Sequence, residues 1–249
     1  MKILKDIPYF LPTDPLRLLD VYLPEKANGI LFFYVHGGGL ETGDKEEIMP
    51  AAQYLTEKGY AVASVNYRMY PAAHYPDFLW DAAQALHFVK EHLADYQAEK
   101  IFVGGSSAGG YISMMLCFDP QYMARYHMSN ADIAGYFHDA GQPTAHFRVL
   151  KERGVDGRRV IVDDSCALYH VGTQDFYPPM RFIVSDHDLQ NRYEQTMLML
   201  STLRHFGISH VDHVLMHGNH CAYIGARDEK DESVFGQMIQ EFLEAAHLV

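Results

Sequence analysis

No run of about 18 apolar residues occurs in this 249-residue chain, so no segment is long enough to cross a bilayer as a helix. The opening, MKILKDIPYF, is broken by Asp6 and Pro8 before it can supply the apolar core of about 7 to 15 residues that a secretory signal needs. The expected location is cytoplasmic. Cationic surplus is lacking too: 20 Lys and Arg stand against 32 Asp and Glu, a formal charge of -12. Such a balance repels phosphate backbones and anionic headgroups, so neither nucleic acid nor membrane is an expected partner. Only three cysteines occur, Cys117, Cys166 and Cys221, too few and too scattered for a disulfide framework or a zinc knuckle. Histidine is plentiful at 15 residues, with His205, His210, His213, His217 and His220 crowded together, yet no HExxH spacing appears. Neither a metal nor any other cofactor is expected. Internal repeats and low-complexity runs are likewise missing, and 48% hydrophobic content over this length fits one domain with a full core.

What is present is an alternation of short apolar runs with segments of helical period, which indicates an α/β fold. Strands are expected at Ile30–Val35, Ala61–Asn66, Ile101–Gly104, Ile133–Phe137, Arg181–Ser185 and His210–Met216. Their continuous apolar character suits a mostly parallel sheet with helices on both faces. Leu18–Leu23 reads as an antiparallel edge strand before the Asn28-Gly29 turn. Helical periodicity marks Ile48–Lys58, Pro76–His92, Ala108–Phe118, Tyr193–Phe206 and Ser233–Leu248. Residues 143–162, which contain KERGVDGRR, fit no core strand and are expected to form a small cap over the end of the sheet where open α/β folds place their sites.

The strongest local signal is IFVGGSSAGGY, in which Gly105, Ser107 and Gly109 form G-x-S-x-G between a strand and a helix. Small residues on either side of a serine let a tight strand-to-helix turn hold it in a strained conformation with its hydroxyl projecting. Ser106 is in the wrong register for this, and the loop does not spell the G-x-G-x-x-G of a dinucleotide site. Upstream, FFYVHGGGL carries a buried strand into His36 and three successive glycines, which are costly in conformational entropy unless their backbone is needed. Acyl transfer needs amides aimed at a developing oxyanion. The assigned donors are Gly38, Gly39 and Ala108, with Gly37 as a substitute; His36 is expected to brace the loop.

HGGG, NYRMYP, YPDFLWDAAQAL and GSSAG, in this order, resemble the lipase and esterase branch of the α/β-hydrolases, which includes hormone-sensitive-lipase-like and bacterial feruloyl or acetyl esterases. The resemblance runs from LDVYLPEK to the C-terminal helix and is weakest over residues 143–162. It implies an α/β-hydrolase fold and a Ser, Asp, His order of catalytic residues. PPMRFIVSDHDLQ then supplies the acid. Similar sequences place it four residues beyond the last strongly apolar residue, which selects Asp188, although those sequences have small residues where this one has Asp186 and His187. Asp186 therefore remains an alternative. HVDHVLMHGNHCAYIG supplies the base: His220 is preferred over His217 because Gly218-Asn219 reads as a turn that presents it, and because Gly-x-His before a small residue and an aromatic resembles the family pattern. Tyr67, Arg68 and Asp81 resemble a structural signature of the family and are expected to brace loops. Phe137, His138, His146, Phe147, Tyr169 and Tyr177 are candidates to line an acyl or alcohol pocket, with ordinary packing as the competing reading.

The implied chemistry is hydrolysis of a small-molecule ester through an acyl-enzyme on Ser107, with a short-chain acyl or hydroxycinnamoyl group. The charged residues of 143–162 make a poor wall for a long acyl chain. An amidase or formamidase using the same residues, as in the kynurenine formamidase branch, is the first alternative, and a non-catalytic binding protein of this fold the second. Whether the chain forms a homo-oligomer is not legible in the sequence.

Overall fold

In the strand GILFFYV, the period-2 geometry of extended chain sends alternate side chains to opposite faces. Leu31, Phe33 and Val35 join one buried cluster, and Ile30, Phe32 and Tyr34 the other. A strand apolar on both faces has to be covered on both.

The computed structural model describes residues 1–247; Leu248, the expected end of the last helix, lies outside them. Eight strands, β1 (Lys2–Pro8), β2 (Leu18–Leu23), β3 (Gly29–Val35), β4 (Ala61–Val65), β5 (Ala98–Ser106), β6 (Gly135–Asp139), β7 (Met180–His187) and β8 (Val211–Asn219), form one sheet in the order β1-β2-β4-β3-β5-β6-β7-β8. Pairings β1–β2 and β2–β4 are antiparallel, and the remainder are parallel. Helices α1 (Met49–Glu57) and α7 (Val234–His247) cover the Phe32 face, where Leu55, Phe235, Ile239 and Phe242 meet Phe102 and Phe137. Helices α2 (Asp77–Glu91), α3 (Ala108–Phe118) and α6 (Arg192–His205) cover the other. Every residue of α3, AGGYISMMLCF, is buried, as an all-round apolar helix should be.

Strand order reverses beside β3, which pairs β4 on one side and β5 on the other. Their carboxyl ends therefore open at a topological switch point, where ligands of open α/β sheets bind. Two short helices complete the description, α4 (Pro120–Ala124) and α5 (Phe147–Glu152).

Three expectations differ from what forms. No strand is expected over residues 2–8, yet β1 forms there; it lies at the sheet edge, where polar side chains and proline are tolerated. The strand expected at Ile133–Phe137 runs instead over Gly135–Asp139, since Ser129 and Asp132 close a capping box on a short 3₁₀ turn that ends at Ile133. The strand expected to end at Met216 continues to Asn219, so Gly218-Asn219 is ladder, and the turn begins at His220.

Candidate active site

Ser107 lies between β5 and α3 with φ 56° and ψ -113°, a conformation that costs a non-glycine residue about 1 to 3 kcal/mol. Its surroundings impose it. The Ser107 amide donates to Asp139 O at 2.8 Å, and the Tyr111 amide to Ser107 O at 3.0 Å. The flanking glycines allow the close approach that the turn needs. A Cβ on Gly109 would stand 1.9 Å from Val35 O, and one on Gly105 would stand 2.4 Å from Gly109 O.

From this elbow a continuous chain of polar contacts runs inward. His220 Nε2 is 2.8 Å from Ser107 Oγ, and His220 Nδ1 is 2.6 Å from Asp188 Oδ1. The Asp188 side chain is 1% exposed, and it also accepts from the amides of Leu189 at 2.7 Å and Ser185 at 3.2 Å. Burial works to raise its pKa, but the His220 hydrogen bond and charge, together with those amides, hold it below the ordinary carboxylate range. With the carboxylate on Nδ1, Nε2 is free to accept from the serine hydroxyl. Asp186 turns elsewhere. It accepts from His217 Nδ1 at 2.7 Å and from the Gly218 amide at 2.8 Å, and those two contacts lower its pKa to about 2.

The glycine loop lies against the serine. A Cβ on Gly37 would stand 3.1 Å from Ser106 O and 3.3 Å from Ser107 Cβ. Gly38 and Gly39 take φ values of 97° and 67°, and among the described residues their amides and that of Ala108 donate to no protein carbonyl. Beneath the loop, His36 Nδ1 donates to Gly37 O at 2.8 Å while its ring stacks on Tyr67 at 4.5 Å. The Tyr67 hydroxyl bonds His36 O at 3.0 Å and Gly37 O at 3.3 Å. Burial depresses the His36 pKa to about 4, so it supports this loop as a neutral ring. Arg68 grips the buried Asp81 through two nitrogens at 2.8 Å each.

Of the proposed pocket residues, Phe137 is core, and His138 is buried against Ser113 Oγ at 2.9 Å, away from the serine. Tyr177 packs on Phe118 and Tyr169 is exposed. His146 is wholly buried, stacked on Phe147, and caps α5 by accepting from the Arg148 amide. Phe147 alone reaches the loop, its Cζ lying 3.4 Å from where a Gly39 Cβ would be. Within 143–162 the first part is buried, with Ala145 and Leu150 in a small cluster with Cys166 and Val149 in the main core, whereas the charged stretch 151–159 is largely exposed.

Other groups at the site had no clear signal in the sequence. Asp139 ends β6 fully buried, its carboxylate accepting from the Tyr223 hydroxyl. Cys221 Sγ is 3.7 Å from His220 Nε2, and burial raises its pKa so that the thiol stays neutral. Arg192, at the start of α6, is 4% exposed and donates from Nη1 to Ala140 O. An acidic residue closing an apolar strand, as in YFHD, is the one sign that could have flagged Asp139.

The sheet, the serine elbow and the histidine and carboxylate behind it define an α/β-hydrolase. Esterase B from Lactobacillus Rhamnosis superposes with a TM-score of 0.81 at 16% identity, covering 99% of this chain and 86% of that one. A truncated carbohydrate esterase from gut microbiota gives 0.76 at 16% identity over 99% and 97%. At such identities the likeness is one of fold. The BD-FAE family model matches residues 19–146, more than half of the chain, and the chain belongs to that family. Among its relatives, the probable carboxylic ester hydrolase LipM of Mycobacterium tuberculosis is 33% identical over 93 residues, which are 36% of this chain and 22% of LipM. Esterase LipQ of the same organism is 23% identical over 265 residues, 96% of this chain and 61% of LipQ. The chain thus spans between about a fifth and three fifths of the length of these relatives.

Proposed function

We propose that this protein is a serine carboxylesterase acting on small-molecule esters through an acyl-enzyme. The observation that carries the reading is the relay Ser107–His220–Asp188, with contacts of 2.8 and 2.6 Å. Ser107 Oγ attacks the ester carbonyl as His220 takes its proton, and Asp188 stabilises the imidazolium that results. The oxyanion is held by the amides of Gly38, Gly39 and Ala108. His220 returns the proton to the departing alkoxide, and water then repeats the cycle on the acyl-enzyme. Membership of BD-FAE and the esterase names of the relatives support the same chemistry.

The acyl group we propose is short or hydroxycinnamoyl. Phe147 standing over Gly39, and arginines 158 and 159 nearby on residues 143–162, favour a small or flat acyl group over a long chain. The test is kcat/KM on 4-nitrophenyl acetate, butyrate, octanoate and decanoate and on methyl ferulate, with fluorophosphonate labelling of the wild type and of Ser107→Ala. Values that fall beyond butyrate, with labelling lost in the variant, are expected. A steady rise to decanoate overturns the acyl preference, and no labelling overturns the esterase reading. Matched anilides in the same assay address amide hydrolysis.

A further inference from the structure

A cleft of about 370 Å³ lies beside the relay, between α6 and residues 142–159. Two of its walls tie it to the site. Phe147 is the residue that meets Gly39, and Leu189 is the neighbour whose amide bonds Asp188. Its polar lining holds three guanidinium groups alongside the side-chain amides of Gln142, Gln190, Asn191 and Gln195, and no carboxylate. Arg192 is 4% exposed and spends one nitrogen on Ala140 O; among the described residues no carboxylate makes a close ion pair with it, and the charge that Asp188 exerts on it comes from a carboxylate already bonded to His220. Gln195, 8% exposed, accepts from Thr144 Oγ1 at 2.7 Å through Oε1, which leaves its amide nitrogen without a protein acceptor. The exposed Arg159 side chain makes no side-chain hydrogen bond among the described residues, though it shares the electrostatic field of Asp156, with which Arg158 is paired. Asn191 and Arg192 bring the first turn of α6 to the cleft, and that turn has no side-chain cap. Glu194, its acidic member, is exposed and does not line the cleft.

A guanidinium taken out of water without a counter-ion is unfavourable unless something anionic completes it. The whole chain carries a formal net charge of -12, so a cleft lined by three arginines, of which only Arg158 is tightly paired, is a local inversion of sign. We propose that this cleft is an anion subsite and that the protein's ester substrates carry a carboxylate on the part that lies along α6. A carboxylate fits because Arg192 can offer it a forked pair of N–H groups and Gln195 a third donor. The substrate assignment rests on the esterase reading; the anion subsite itself does not.

Two pairs of esters test it: mono-4-nitrophenyl glutarate against 4-nitrophenyl pentanoate, for an anion on the acyl side, and 3-carboxyphenyl acetate against phenyl acetate, for one on the alcohol side. In at least one pair the anionic ester is expected to have a kcat/KM about tenfold higher or more. That ratio should fall about tenfold in Arg192→Met, and in Arg159→Ser, whose exposed site does not threaten folding. Calorimetric titration of Ser107→Ala with glutarate and with 3-hydroxybenzoate runs alongside, with saturable binding expected that the Arg192→Met change abolishes. Ratios near one in both pairs, with neutral esters turned over, overturn the substrate assignment and leave the esterase reading intact. If no ester reacts, the esterase reading fails, and calorimetry alone decides the subsite: no binding, or binding unchanged by Arg192→Met, overturns it.

Discussion

Asp188 and His220 meet at 2.6 Å inside the protein, while Asp186 and His217, a similar pair two and three residues away along the chain, meet at 2.7 Å on its surface. The His217 side chain is 90% exposed and the Asp188 side chain 1% exposed. Only the inner pair reaches Ser107. Asp188→Asn should lower kcat by about 10³- to 10⁴-fold, since the amide no longer fixes the tautomer of His220. Asp186→Asn and His217→Ala should leave kcat within about twofold. Steady-state rates on 4-nitrophenyl acetate decide it, and equal losses from Asp186→Asn and Asp188→Asn would show that the wrong carboxylate has been assigned.

Ser107→Ala should abolish turnover with the fold intact, whereas Ser106→Ala should retain most of it. The Ser106 hydroxyl is buried beside the Asp139 carboxylate and the Tyr34 hydroxyl, and it makes no hydrogen bond to His220. Removing it costs Asp139 a neighbour but leaves the relay in place, whereas removing the Ser107 hydroxyl removes the nucleophile. Native circular dichroism with equal activity loss in both variants would contradict the assignment.

The glycines around the serine bear on both stability and catalysis. Gly109→Ala places a methyl group 1.9 Å from Val35 O, backbone that cannot give way, so unfolding should become easier by about 3 kcal/mol or more. Gly38→Ala meets Thr42 O, also backbone and also at 1.9 Å, and does so at φ 97°, where a side chain is strained, although this loop is exposed. It should therefore cost stability too, but the enzyme that remains folded should in addition lose about 10²- to 10³-fold in kcat as an oxyanion donor moves. A Gly38→Ala enzyme of full activity would remove Gly38 from the donor set.

The site was readable wherever it depended on local backbone chemistry. Gly105, Ser107 and Gly109 announce their turn by spacing alone, and the glycines after His36 announce a loop that needs bare backbone. Asp188 and His220 are different: the preference for Asp188 over Asp186 came from resemblance, and that for His220 over His217 from resemblance together with a turn read at Gly218-Asn219. What separates them in space is the course of β7 and β8, which leaves one pair inside and the other outside. The turn read at Gly218-Asn219 failed because ladder pairing of Asn219 with His187 overrides a local turn preference. Arg192 was invisible for a similar reason, as a charged residue opening a helix usually faces water. Here the cleft draws it inward.

Asp139 supplies a pH dependence with a definite sign. Its carboxylate is fully buried, accepting from Tyr223, while its backbone carbonyl accepts from the Ser107 amide, and burial raises its pKa from 3.8 to about 6. The folded protein therefore binds this proton more tightly than the unfolded chain does. The resulting stabilisation is complete below about pH 4 and is lost as the pH rises through about 6, an effect of about 3 kcal/mol. Asp188, held below its ordinary range, acts in the opposite direction, so the net pH profile of the wild type does not isolate Asp139. Asp139→Asn does, because it keeps an acceptor for Tyr223 and removes the titration. Urea unfolding of both proteins between about pH 4.5 and 7.5 should show the wild type losing stability relative to the variant across that window. A difference that stays flat would mean that Asp139 titrates alike in the folded and unfolded chains, and that the strand end beside Ser107 is wetter than its burial implies.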